Sequence, residues 1–394
     1  MRRSRPDQPA AANASMQILT VDIGTGTQDI YVLRTGMSPE NGLKLVMPSP
    51  TMLTRRKIQA ATEQETDILL TGVTMGGGPN HWAAEDHLRA DFNVYATPSA
   101  ARSFNDDVDL LQREMGITVV SEDEALSLKD VRKIVLRDFD FEAIANSFDA
   151  FAVKLDPDAV GVAVFDHGEA PPDVSDRKFR FDFLAARLQE QNRLSAFAFL
   201  SDQVPPALTR MKAVAASAQL DCPLVLMDTA PAAVLGALQD RRVTARARSL
   251  IVNLGNLHTL AFRLHDQRVE GLFEHHTGLL DQPHLERLLR ELAAGTLRRE
   301  QVFAENGHGA LILESDPLPL DEPGFEVVVT GPRRSMLADS RLRPYFAVPH
   351  GDMMLTGCFG LLSAITDHVP GVGTEISATL AGDYNGNAPW ETEA

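Results

Sequence analysis

Apolar residues in the first part of the chain occur in short runs that are separated by polar or glycine-containing turns. Runs of this length predict strands rather than helices. The predicted strands cover residues 17–23, 28–34, 43–47, 68–73, 92–95 and 160–165. A mixed stretch over 52–61 predicts a helix, and further helical patterns lie between the later strands. This alternation is typical of an α/β protein.

The second part of the chain repeats this order. Its predicted strands cover residues 249–253, 259–264, 269–273 and 326–329. A helix is predicted over 283–293, where leucines recur on one helical face, and a final helix over 352–366. The order strand-strand-strand-helix-strand-helix therefore occurs twice. We expect duplicated α/β domains that face each other across a cleft.

These patterns divide the chain into five segments. We predict a disordered leader at 1–15, a first domain at 16–170, a helical connection at 171–224, a second domain at 225–370 and a flexible tail at 371–394. The leader begins with basic residues but lacks the apolar core of a signal peptide. The tail contains glycine, asparagine and glutamate, which favour fraying.

Charge excludes some classes of partner. The chain has 394 residues, with 37 Lys and Arg against 54 Asp and Glu, and a net charge of -17. Nucleic acids and anionic membranes are bound by clustered basic residues, so neither is an expected partner. No apolar run approaches the roughly 18 residues that a transmembrane helix needs. We expect a cytoplasmic protein with a small-molecule substrate, and a homodimer or a protein partner stays open.

Cysteine content excludes several kinds of site. The two cysteines are Cys222 and Cys358, far apart in the sequence. Two such residues cannot form a disulfide framework, a cysteine-rich zinc site or a cysteine-ligated iron–sulfur cluster.

The turn after the first predicted strand has the chemistry of a phosphate site. Asp22 ends the strand, and Gly24, Thr25, Gly26 and Thr27 follow it. Glycines let successive backbone N–H groups line a concavity that suits an anion, and the threonines add hydroxyl donors. A carboxylate at this place can hold a hydrated Mg2+ ion that faces the phosphates. The alternative is an ordinary glycine-rich hairpin.

Four segments occur in a characteristic order. They are the turn after Asp22, the strand and alanine-rich helix over 224–236, the Asn253-Leu254-Gly255-Asn256 stretch, and Thr330-Gly331-Pro332-Arg333 with the helix after Asp352. This order resembles the superfamily of sugar and acetate kinases, heat-shock chaperone ATPases and actin over about residues 16–366. The resemblance implies duplicated ribonuclease H-like domains, as in the actin-like ATPases, with ATP and Mg2+ bound in the cleft.

The resemblance assigns roles to particular residues. Asp22 matches the carboxylate that holds Mg2+ through water. Gly24, Thr25, Gly26 and Thr27 match the first phosphate loop, and Asn253, Gly255 and Asn256 match the second. Gly331 and Arg333 match the turn that borders the base or ribose. Asp228 stands near an acidic position that chaperone-type members use to orient water.

This sequence departs from the superfamily pattern in its second loop. Asn253 replaces the usual aspartate, and an amide binds Mg2+ more weakly than a carboxylate. Leu257 and His258 replace small residues. His258 is nevertheless a catalytic candidate, because an imidazole beside a phosphate can donate to an oxygen or move a proton.

Two further stretches stay ambiguous. Gly76-Gly77-Gly78 fits either a plain turn before a helix or a close approach to substrate. His275 and His276 follow Glu274 in a predicted strand, where neighbouring side chains point to opposite faces. The two histidines are therefore not expected to bind one metal, and a structural role is favoured.

We expect an ATP-dependent phosphotransferase that acts on a small molecule, or alternatively a non-catalytic or weakly hydrolytic ATP-regulated binding or assembly protein. The chain also resembles a family labelled as pyruvate formate-lyase activating enzymes. That label implies a radical enzyme with three closely spaced cysteines, which two cysteines cannot supply.

Overall fold

The computed structural model describes residues 15–384. The predicted leader, apart from Ser15, and the last ten residues of the predicted tail lie outside these described residues.

The strands are β1 (Gln17–Ile23), β2 (Thr27–Arg34), β3 (Leu43–Pro48), β4 (Ile68–Gly72), β5 (Val94–Ala96), β6 (Thr118–Val119), β7 (Arg132–Leu136), β8 (Ala159–Val164), β9 (Ala198–Leu200), β10 (Leu224–Asp228), β11 (Arg248–Leu254), β12 (His258–His265), β13 (Arg268–His276), β14 (Gly309–Ile312), β15 (Val328–Thr330) and β16 (Tyr345–Phe346). The α-helices are α1 (Pro50–Glu63), α2 (Pro79–Arg89), α3 (Pro98–Ala101), α4 (Val108–Met115), α5 (Glu122–Ser127), α6 (Phe141–Asp149), α7 (Asp176–Glu190), α8 (Thr209–Ser217), α9 (Thr229–Ala237), α10 (Arg241–Thr244), α11 (Gln282–Ala293), α12 (Arg299–Ala304), α13 (Thr356–His368) and α14 (Pro370–Leu380).

The first sheet has the strand order β3-β2-β1-β8-β10-β9. Strands β1 to β3 are antiparallel, whereas β8 runs parallel to both β1 and β10. Every residue of β8 is buried, as expected for a central strand that is covered on both faces. Its sequence, AVGVAV, supplies small and branched apolar side chains for both faces.

The second sheet repeats this arrangement in the order β14-β13-β12-β11-β15-β16. Strands β13, β12 and β11 are antiparallel, and β15 runs parallel to β11 and β16. Strands β11, β12, β13, β15 and β16 thus correspond to β1, β2, β3, β8 and β10. Two ribonuclease H-like domains are therefore present, as the sequence predicted, and β14 is an addition at the β13 edge.

A separate sheet interrupts the first domain. Strands β4 to β7 form a four-stranded parallel sheet in the order β6-β5-β4-β7, with α1 and α2 packed together beside it. The repeated order predicted from the sequence includes the helix over 52–61 and the strand over 68–73 in the first duplicated domain, whereas the structure places both in the inserted unit. Hydrophobic periodicity reports that a strand is buried but not which sheet it joins.

The domain boundaries also differ from the prediction. The segment 171–224 contains β9 and leads directly into β10, which pairs with β8 and completes the first sheet. The second sheet begins only at β11, after α9. Part of the predicted flexible tail forms α14, which buries Gly373, Ile376 and Thr379.

Helices α9 and α13 cross between the two domains. Helix α13 packs on β1, β8 and β10, whereas α9 contacts β11 and β15 of the other sheet. The helices meet at two glycines. A Cβ atom at Gly236 would lie 1.7 Å from the backbone oxygen of Thr356, and one at Gly360 would lie 1.8 Å from that of Ala232. This close approach holds the domains together around the cleft.

Within residues 15–384, no helix is both long and apolar enough to cross a membrane.

Candidate functional site

The turns after β1 and β11 have the same hydrogen bonding. The N–H of Gly24 donates to the carbonyl of Thr27 at 2.9 Å, and the N–H of Gly255 donates to the carbonyl of His258 at 3.0 Å. In both hairpins the residue before each turn pairs directly across the strands, Ile23 with Gln28 and Leu254 with Thr259. The positions of the two turns therefore correspond one to one.

These turns contact each other across the cleft. A Cβ atom at Gly26 would lie 3.2 Å from Nδ2 of Asn256. A third glycine loop joins them, because a Cβ atom at Gly78 would lie 3.6 Å from Leu257 and 3.8 Å from Thr25. The Gly76–Gly78 loop thus comes from the inserted sheet and covers the place where the two domains meet.

A cavity of about 430 Å3 lies where the three loops converge. The residues predicted for the site that line it are Asp22, Gly24, Thr25, Gly26, Thr27, Asn253, Gly255, Asn256, His258 and Gly331. Asp228 and Arg333 are not among its lining residues, whereas their neighbours Thr229 and Arg334 are. The volume falls within the range of small-molecule and cofactor sites.

Two carboxylates lie side by side at one end of the cavity. Asp22 on β1 pairs directly opposite Asp29 on β2, so both side chains project from the same face of the sheet. Oδ1 of Asp22 accepts a hydrogen bond of 2.5 Å from the hydroxyl of Thr229, whereas Oδ1 of Asp29 is buried and finds no partner among the described residues. Sequence reasoning missed Asp29, although its spacing from Asp22 across a tight hairpin was a usable signal.

Burial raises the pKa of both groups. The pKa of Asp22 rises to about 6, mainly through desolvation, with the negative charge of Asp228 adding to it and the hydrogen bond from Thr229 opposing it. The pKa of Asp29 rises to about 8, because desolvation is reinforced by the neighbouring Asp22 carboxylate. A cation between the two carboxylates would relieve this repulsion.

The start of α13 leaves room for Asp22. A Cβ atom at Gly357 would lie 1.9 Å from Oδ2 of Asp22. Any larger residue at Gly357 would therefore displace the carboxylate, so the start of α13 helps to position Asp22.

Asp228 has a structural role behind the cavity. Its carboxylate accepts hydrogen bonds from the guanidinium of Arg180 at 2.6 and 3.2 Å, and from the N–H of Ala230 at the start of α9. Arg180 also donates to Glu274 at 2.8 and 3.0 Å and lies 3.7 Å above the ring of Phe165. The arginine therefore joins the end of β10 in the first domain to β13 in the second.

Sequence reasoning missed this buried ion-pair layer. Asp138 pairs with Arg210 at 2.7 and 2.9 Å and also accepts from the N–H of Gly76, which anchors the glycine loop. Asp166 accepts from the N–H groups of Gly168 and Met211. These partners come from distant parts of the chain, so no local spacing links them.

His258 lies in the cavity wall, stacked on Phe165 with ring centroids 4.0 Å apart. Burial and the nearby His167 lower its pKa well below the ordinary value. The ring is therefore neutral at neutral pH, and any hydrogen bond that it donates comes from a neutral N–H.

The turn after β15 packs on the second hairpin. Gly331 has a φ of 97°, and a Cβ atom there would lie 2.7 Å from Oδ1 of Asn253. The N–H of Arg333 donates to the carbonyl of Leu254, whereas Arg334 lines the cavity. Among the arginines of this turn, Arg334 replaces the predicted Arg333 as the one that reaches the cavity wall.

A protein-family profile described as "Putative pyruvate format-lyase activating enzyme (DUF1786)" matches residues 75–336, about two thirds of the chain. The chain belongs to this family. Its members' label names a radical chemistry that needs cysteine ligands, whereas Cys358 here is buried in α13 with Sγ near the carbonyl of Asp29, and Cys222 lies on the other face of the first sheet.

Solved structures with similar folds include three proteins of low identity. An exopolyphosphatase-like protein is 12% identical, with a TM-score of 0.23 over 81% of this chain and 66% of that one. The ethanolamine utilization protein EutJ from Carboxydothermus hydrogenoformans is 11% identical, with a TM-score of 0.30 over 91% and 90% of the two chains. The psk41 ParM protein in its apo form is 12% identical, with a TM-score of 0.30 over 91% and 99%. No protein with a curated description matches the chain.

These likenesses are too weak to carry a functional inference. The assignment of two ribonuclease H-like domains follows from the strand order within the molecule itself.

Proposed function

We propose that this protein binds ATP with Mg2+ in the cavity between the two hairpin turns and transfers the terminal phosphoryl group to a small molecule. The observation that carries the proposal is the pair of equivalent turns in contact across the cleft, with the Asp22 carboxylate at the end of β1.

The backbone of the two turns is suited to phosphate. In the part of the chain that the structure describes, the N–H groups of Thr25, Gly26, Asn256 and Leu257 find no acceptor. Phosphate oxygens accept hydrogen bonds from such groups, and glycine turns let the backbone come close to them. Arg334 adds a positive charge to the cavity wall.

The carboxylates are suited to Mg2+. Mg2+ prefers oxygen ligands and keeps several of its waters. Asp22 and Asp29 present adjacent half-buried carboxylates, and Oδ1 of Asp29 is buried with no partner among the described residues. Asp22 would hold the ion and Asp29 would add charge beside it. When bound, Mg2+ neutralises charge that develops on the transferring phosphoryl group.

The protein's own contribution is positioning. Three glycine loops from two domains and the inserted sheet surround the cavity, so rotation about the α9–α13 crossing would change its width. Closure of such a cleft excludes water and favours transfer to an acceptor over hydrolysis.

Thermal unfolding with and without ATP and Mg2+ tests the proposal. At a ligand concentration of about 100 times its dissociation constant, binding adds roughly 2.7 kcal/mol of stability. We expect Asp22→Asn to lose most of this gain, because the amide keeps the shape but not the charge. Asp106→Asn is the matched control, since Asp106 also lines the cavity but belongs to neither hairpin turn. Equal shifts in wild type and Asp22→Asn would contradict the proposed metal role.

An ATP-regulated binding protein is the second candidate function. Asn253 favours it, because the second turn has no carboxylate where the first has Asp22. Incubation with γ-labelled ATP and a panel of acceptor metabolites separates the two. Label in a metabolite supports the phosphotransferase, whereas tight binding with no transfer supports regulation alone.

A further inference from the structure

Three histidines from different strands meet beside the cavity, in a group that the proposed nucleotide chemistry does not use. His167 follows β8 of the first domain, His258 begins β12, and His308 directly precedes β14 of the second domain. Their ring centroids lie 5.1 to 6.0 Å apart. His276, at the end of β13, lies 4.7 Å from the ring of His308.

Buried ring nitrogens of His258 and His308 have no hydrogen-bond partner among residues 15–384. One nitrogen from each of His167, His258 and His308 lies within 4.8 Å of the other two. His308 is fully buried, yet neither of its nitrogens forms a hydrogen bond with any described residue, and Nε2 of His258 also has none. An unpaired buried polar group is costly, so such groups require an explanation.

We propose that His167, His258 and His308 together bind one divalent first-row transition-metal ion, with Zn2+ as the expected occupant. In a tetrahedral zinc site with bonds of about 2.0–2.1 Å, the nitrogens lie roughly 3.4 Å apart. The three nitrogens lie within 4.8 Å of one another in the structure, so binding would draw them closer by up to about 1.4 Å. Three imidazoles leave the fourth position open, and His167 and His258 line the cavity on that side.

The surroundings suit a cation. Oε1 of Glu274 lies 3.7 Å from Nε2 of His308, beyond hydrogen-bond distance but close enough to place a negative charge beside the group. The nearby positive charge of Arg180 is matched by two carboxylates, Asp228 and Glu274.

The backbone fixes His308 in place. A Cβ atom at Gly307 would lie 2.5 Å from Cγ1 of Val302, and one at Gly309 would lie 2.8 Å from the ring of Phe181. The backbone on both sides of His308 is therefore packed too closely for any side chain. Because His167 belongs to the first domain and the other two histidines to the second, a bound ion would join the domains at the base of the cleft.

A second group, His275, His284 and Glu305, has similar spacing but a simpler explanation. Glu305 already accepts from Arg287 at 2.7 Å and pairs with His284 at 2.8 Å. Those contacts account for both side chains as an ion-pair network near the surface. The adjacent His275 and His276 thus face different groups, as the alternation of a strand requires.

Metal content of the full chain, purified without a histidine tag, tests the proposal. After chelation and dialysis, the wild type is expected to take up one equivalent of Zn2+, and Co2+ is expected to give the visible absorption of a tetrahedral site. His308→Gln should lower the affinity by more than about 100-fold, since it removes a ligand. His167→Gln provides a second variant that retains the packing around Gly307 and Gly309.

Two control variants make the outcome specific. His284→Gln changes the alternative group, and His265→Gln changes a half-exposed histidine of β12; both should bind Zn2+ as the wild type does. Asp22→Asn should also keep Zn2+, so failure of the nucleotide proposal would be distinguishable from failure of this one. Absence of Zn2+ and Co2+ binding in the wild type, or loss of the ion in His284→Gln but not in folded His308→Gln or His167→Gln, would overturn the inference.

Discussion

In the first hairpin a carboxylate precedes the turn and a second carboxylate faces it from the neighbouring strand, whereas the second hairpin has Asn253 and Leu260 at the same positions. The tips differ as well, because Gly26 and Thr27 correspond to Leu257 and His258. The backbone hydrogen bond that closes each turn is the same in both.

This difference separates two kinds of ligand chemistry within one duplicated fold. Carboxylate oxygens, which Mg2+ prefers, are confined to the first hairpin. Imidazole nitrogens, which suit Zn2+ and similar ions, gather beside the second. The duplication thus supplies two related backbones, and side-chain changes give each a separate task.

The largest expected effect concerns the crossing of α9 and α13, where each helix contributes one glycine to the contact with the other. A Cβ atom at Gly236 or at Gly360 would lie less than 2 Å from a backbone oxygen of the other helix. We expect Gly236→Ala and Gly360→Ala each to cost about 3 kcal/mol, because a backbone cannot yield as a side chain does. Urea unfolding measures both values.

The pseudo-twofold crossing predicts that Gly236→Ala and Gly360→Ala lower the free energy of unfolding by similar amounts. The double variant should cost less than the sum of the singles, because separating the helices once relieves both clashes. A large cost at one glycine and none at the other would contradict the pseudo-twofold crossing.

Much of the fold could be predicted from the sequence. The three apolar runs before residue 48 and the three after 248 became antiparallel strands with nearly the predicted bounds. The inserted sheet was not predicted, because the apolar run of β4 predicts a buried strand whether that strand joins the first sheet or a separate one. The short strand β9 was missed, since three residues show no periodicity.

The candidate site was predictable only where it is local in sequence. The two hairpin turns and Gly331 were placed at the cavity from motifs of a few residues. Asp228 was assigned to the site, but Arg180, 48 residues away, holds it behind the cavity. In the sequence, nothing marks His308 as a site residue except the glycines on either side of it. Its neighbours in space, His167 and His258, lie far away along the chain.

An intermediate effect is expected from Asp29, the carboxylate that Leu260 replaces in the second half. Its folded pKa of about 8 lies above the ordinary value of 3.8, so the folded state retains the proton longer than the unfolded state. Stability from this group is therefore present at low pH and is lost as pH rises towards 8. Without metal, Asp29→Asn should gain about 1–2 kcal/mol relative to wild type between about pH 6 and about pH 8.

Urea unfolding across this pH range, with wild type and variant compared at each pH, removes contributions that the two share. Asp67→Asn is the control, because hydrogen bonds from Asn93 lower the pKa of Asp67 and its contribution is lost only at more acidic pH. Its difference from wild type should therefore stay constant between about pH 6 and about pH 8. A difference between Asp29→Asn and wild type that does not change with pH would show that Asp29 ionises normally in the folded state.

The smallest expected effect is that of Gly371→Ala in α14, which lies where the sequence predicted a flexible tail. A Cβ atom at Gly371 would meet nothing within 4 Å, whereas one at Gly373 would lie 2.5 Å from the backbone oxygen of Thr366. Gly371→Ala should therefore stabilise the protein by about 0.5 kcal/mol through helix propensity, and Gly373→Ala should destabilise it by about 1–3 kcal/mol through the clash. Thermal unfolding of the two variants, two residues apart, decides between a docked helix and a frayed tail, because in a frayed tail neither change would alter the free energy of unfolding.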